Sequence, residues 1–91
     1  MNAKMLSKVI EVENRVNTIC KCLVLGEADH FTVEYSNREV CITAYTRRGT
    51  IACKLADLMR IYAEPNDEVK QKNFAEEDRV FWTSEITIPL E

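Results

Sequence analysis

The sequence predicts an α+β fold in which a long N-terminal helix packs on an antiparallel sheet, with a short second helix. The sheet is read as a three-stranded meander plus a C-terminal strand, in the order α-β-β-β-α-β. Three observations lead there. An apolar seam of helical spacing runs from residue 5 to 23, two neighbouring stretches alternate with agreeing faces, and a third alternating stretch lies near the end. The 91 residues form a single domain over 1–91, since a chain of this size has room for one core.

In the first element Met5, Val9, Val12, Val16, Ile19 and Leu23 recur at steps of four, three, four, three and four, the spacing of a helix seam. Leu6, Ile10 and Cys20 widen that stripe, and Lys8, Glu11, Asn14, Arg15 and Lys21 lie off it. The seam predicts a helix from about residue 3 to 24, roughly 30 Å long, with Gly26 as its C-terminal cap. Such a helix is longer than a small sheet. Its overhang would leave Met5, Leu6 and Val9 in water, so these three are the candidate self-association residues and a homodimer is expected.

"FTVEYSNREVCITAYT" follows with clean alternation. A turn centred on Asn37-Arg38 pairs Tyr35 with Val40 and Val33 with Ile42, which sets Phe31, Val33, Tyr35, Val40, Ile42 and Ala44 on one face. A second turn centred on Arg48-Gly49 would pair Thr46 with Ile51 and Ala44 with Cys53, glycine suiting a type I′ turn. "LADLMRIYAEP" then reads as a short helix presenting Leu55, Leu58, Met59 and Tyr62, ended by Pro65. "NDEVKQKNFAEED" is polar and reads as a loop. "RVFWTSEITIPL" alternates again, with Val80, Trp82, Ile86 and Ile88 facing one way and Ser84 as the exception.

Charge narrows the function. The net charge is −3, with eight Lys/Arg against six Asp/Glu over residues 1–56 and four against nine over 57–91. The acidic residues Asp67, Glu68, Glu76, Glu77 and Asp78 form the candidate partner-binding face, and a solvated surface is their default state. That face would suit another protein with a basic surface. Arg38, Arg47, Arg48 and Lys54 are the alternative basic site for nucleic acid or nucleotide, which the acidic balance disfavours. Arg38 and the Arg47-Arg48 pair belong to turns at opposite ends of the sheet.

Catalytic and metal signatures are not found. Cys20 and Cys22 on a helix point about 200° apart and do not chelate one metal, and structural zinc sites use other spacings. His30 is the lone histidine, in a loop before a strand, and neither a phosphate-cradling glycine loop nor a nucleophile motif occurs. The sequence therefore predicts a non-enzymatic protein-binding module of the accessory or inhibitor type, with no cofactor. Charges at Lys4, Lys8, Glu11, Glu13 and Arg15 break any N-terminal apolar run, so neither a secretory signal nor a membrane span is read. Cys20, Cys22, Cys41 and Cys53 are expected as reduced thiols in the cytoplasm.

Overall fold

The computed structural model describes residues 3–77 and 79–90, without the side chains of Lys4, Met5 and Phe74. Helix α1 spans Ala3–Leu25, followed by strands β1 (His30–Tyr35) and β2 (Glu39–Thr46), helix α2 (Gly49–Tyr62), and strands β3 (Glu68–Glu76) and β4 (Arg79–Pro89). The four strands form one sheet in the order β1-β2-β4-β3, each antiparallel to its neighbour. Strands β2 and β3 thus run the same way with β4 between them, and α2 crosses over to join them as a split β-α-β unit.

The α+β class holds, as do the long first helix on an antiparallel sheet and the short second helix. The predicted position of one strand does not. Residues 51–55, read as a third strand of the meander, are the first turns of α2, while the polar stretch read as a loop is strand β3. The element order is therefore α-β-β-α-β-β. Two periodicities overlap at residues 51–59. Ile51, Cys53 and Leu55 alternate like a strand, but Ala52, Leu55, Ala56 and Met59 recur at steps of three, one and three and are the buried set. Cys53, placed on the core face by the strand reading, is exposed.

Strand β3 escapes the alternation rule for a different reason. It is an edge strand whose positions on the helix-covered face are Val69, Gln71, Asn73 and Ala75, and only Val69 packs against the core. Lys70 and Lys72 on the other face give this edge the charge that discourages further strand pairing.

The first hairpin has the predicted register, Tyr35 opposite Val40 and Val33 opposite Ile42. Ser36 closes its turn, its N–H donating to Glu39 O at 2.9 Å and its hydroxyl oxygen accepting from Glu39 N–H at 3.1 Å. Val40, Ile42 and Ala44 of β2 and Ile86 and Ile88 of β4 meet Val12, Val16, Ile19 and Leu23 of α1 and Leu55 and Met59 of α2 in one core. Ser84 breaks the apolar alternation of β4 because its hydroxyl donates to Ala52 O of α2 at 3.1 Å. A buried hydroxyl with a partner carries little penalty.

The end of α1 corrects the role given to Gly26. The left-handed residue is Glu27, at φ 69°, and no glycine has positive φ. Ala28 N–H donates to Leu23 O and Glu27 N–H to Val24 O, both at 3.1 Å, the paired bonds of a Schellman ending. Gly26 is needed instead for closeness. A Cβ there would stand 3.0 Å from Cys22 O, Leu55 Cδ2 and Leu58 Cδ1, where α1 meets α2. Likewise Gly49 sits in no hairpin turn. It opens α2 after Arg48 (φ −110°, ψ 118°), and a Cβ there would lie 3.2 Å from the Trp82 ring.

Candidate interaction surface

Helix α1 runs antiparallel to α2, with Gly26 against Leu55 and Leu58 and Arg15 against the Tyr62 carbonyl. Its 23 residues span about 34 Å at 1.5 Å per residue. Among the described residues, burial on its inner face starts at Val12, so the first turns project beyond the core. Leu6, Val9 and Ile10 are 52%, 39% and 50% exposed. The molecule is correspondingly elongated, 51 × 23 × 20 Å, and the β3–β4 hairpin supplies the extension at the opposite end. Leu6 is thus half exposed and Val9 less so, while the Met5 side chain lies outside the described residues.

A second feature shares this helix. Cys20, Lys21, Val24 and Leu25 of α1 and Phe31 of edge strand β1 line an open, almost wholly apolar groove of about 410 Å³. Val24 and Leu25 are 62% and 80% exposed. The sequence signal for this flank is the set Leu6, Ile10, Cys20 and Val24. Leu6, Ile10 and Cys20 widen the core seam when read as sequence, yet Leu6 and Ile10 face solvent, as does Val24. Burial raises the pKa of the Cys20 thiol.

Among the described residues, the predicted acidic residues do not gather in one patch. The Asp67 side chain is only 2% exposed; it pairs with the Arg15 guanidinium and accepts Glu64 N–H at 2.8 Å. Its expected role as a solvated charge is therefore corrected: it fastens the α2–β3 connection to α1. Glu68 starts β3 and pairs with Lys70 at 3.4 Å, whereas Glu76 and Glu77 lie at the hairpin end of that nine-residue strand. Glu76, Glu77, Arg79 and Phe81 border a shallow depression of about 230 Å³. Asp78 lies outside the described residues.

The basic residues are likewise dispersed. Arg38 occupies the β1–β2 turn, and Arg47 and Arg48 follow the other end of β2. Arg47 stacks over the Phe81 ring at 5.7 Å, and Arg48 approaches Glu27 at 4.0 Å. Lys54 is on the exposed side of α2. Beside Arg47 on the open sheet face, His30 and Tyr45 rings lie 5.5 Å apart. Cys41, on the same face, has its pKa raised by burial first and by the charge of Glu85 further, against lowering hydrogen bonds from Thr43 and Thr87.

All four cysteines are free. Among the described residues no three His, Cys, Asp or Glu side chains converge as a metal-binding group, and no helix is long and apolar enough to cross a membrane. No protein family matches the sequence, and no curated protein or solved structure is significantly similar to it.

Proposed function

We propose that the chain is a non-enzymatic protein-binding module that works as a homodimer built on α1. The observation behind this reading is the half-exposed trio Leu6, Val9 and Ile10 on a helix that outruns its own core. A fully buried side chain of this kind contributes about 1.5–3 kcal/mol, so three of them together favour association over hydration. The further partner in this reading is a protein with a basic surface, met by Glu76 and Glu77 at the hairpin tip. Charges there steer encounter more than they hold the complex. The nucleic-acid alternative requires Arg38 to act with Arg47 and Arg48, and the length of β2 separates them.

Amide NMR spectra recorded over a concentration series test the dimer. Signals of residues 6–10 should shift as concentration rises in the wild type and stay fixed in Val9→Glu. Spectra independent of concentration in both proteins would remove α1 from the account.

A further inference from the structure

We infer that the two copies pair antiparallel along the outward flank of α1, so that Leu6 and Ile10 of each protomer fill the groove at Val24 and Cys20 of the other. This rests on the dimer reading above and gives it a geometry.

The flank is a second seam, set one residue along from the core seam. Leu6, Ile10, Glu13, Asn17, Cys20 and Val24 recur at steps of four, three, four, three and four. Every member is exposed except Cys20, which is partly buried. The pattern is apolar at both ends and polar in the middle. Over its length of about 27 Å, it is symmetric about its own centre.

That symmetry selects one arrangement. In antiparallel pairing about the centre, Leu6 meets Val24 of the second copy, Ile10 meets Cys20, and Glu13 meets Asn17, whose amide can donate to the carboxylate. Sliding by one heptad sets Ile10 against Glu13 or Glu13 against Val24, leaving a carboxylate against apolar surface. Parallel pairing opposes Glu13 to Glu13, a like-charge contact that is disfavoured. The antiparallel arrangement is also isologous, each contact occurring twice about a two-fold axis, so the assembly closes at two chains.

The groove supports the same arrangement. It opens on this flank of α1, between the helix and Phe31 of the sheet edge, and its walls are apolar. The overhang and the groove lie at opposite ends of one helix, so neither can fill the other within a chain. The two-fold brings them together. A strip one helix wide is smaller than the roughly 1,600 Å² of an ordinary stable interface, so the dimer is expected to be concentration-dependent.

The test is a charge pair placed across the axis. Leu6→Lys and Val24→Glu should each weaken dimerisation about tenfold or more, whereas the double variant should recover to within about threefold of wild type. Rescue within one chain is ruled out by the separation of the two positions. Independently, Ile10→Cys treated with a short bismaleimide should give a dimer whose cross-linked peptides join residue 10 to Cys20. A double variant no better than its weaker parent would overturn the pairing, as would links joining residue 10 to 10 or Cys20 to Cys20. A dimer broken by Val9→Glu yet indifferent to both charged variants would also overturn it while leaving α1 association intact. A wild type that stays monomeric would end both.

Discussion

The Arg15 guanidinium clamps the Asp67 carboxylate across 52 residues of sequence, tying α1 to the turn between α2 and β3. The same guanidinium donates to Tyr62 O at 3.0 Å and lies 3.6 Å from Glu64. Asp67 in turn accepts Glu64 N–H, and its own N–H donates to Glu64 O at 2.9 Å. One partly buried ion pair thus ties the path of the chain out of α2 to the stretch of α1 just past the overhang.

Removing either partner strands a charge that has little water. Arg15→Ala or Asp67→Ala should cost about 3 kcal/mol, read by urea denaturation. Lys70→Ala, which removes the exposed pair with Glu68, should change stability by less than about 0.5 kcal/mol. Equal effects for the buried and exposed pairs would refute the clamp.

The two residues that end α1 should respond in opposite directions. Gly26→Ala forces a Cβ against a carbonyl and two leucines and should cost about 1–3 kcal/mol. Glu27→Gly relieves the left-handed backbone and should stabilise by about 0.5–1 kcal/mol, because the ion pair with Arg48 is long and exposed. Thermal melts of the two variants decide this by sign alone.

Thiol labelling provides a pH-dependent check. Exposed Cys53 should react first with a maleimide, and Cys20 and Cys41 later, since burial disfavours their thiolates. Raising the pH should narrow the gap as Cys41 ionises. The sign for stability follows. A folded pKa above the unfolded one stabilises fully below the ordinary thiol range and less as pH rises through the folded value. Cys41 reacting as fast as Cys53 at neutral pH would contradict its placement.

Much of the fold was legible from side-chain period. The α1 seam and the first hairpin needed nothing beyond the recurrence of Val12, Val16, Ile19 and Leu23 and the alternation from Phe31 to Ala44. Residues 51–55 misled because a strand-like alternation overlies a helical one, and only Ala56 and Met59, further along, separate the two. Strand β3 was hidden because its inward positions pass mostly beyond the core and need no apolar residues. Asp67 looked like its acidic neighbours because its partner is far away in sequence. The site was legible in part. Leu6 and Val9 follow from the overhang, whereas the groove needs Phe31 brought beside Cys20 and Val24, which only the fold supplies.

Sedimentation equilibrium of the wild type and of the Leu6→Lys variant reads the self-association through α1 without any probe. The wild-type mass should climb with concentration from 10.5 kDa towards twice that value, and the variant should begin the same climb only at about tenfold or more higher concentration. A wild-type chain that remains at 10.5 kDa at millimolar concentration would contradict it.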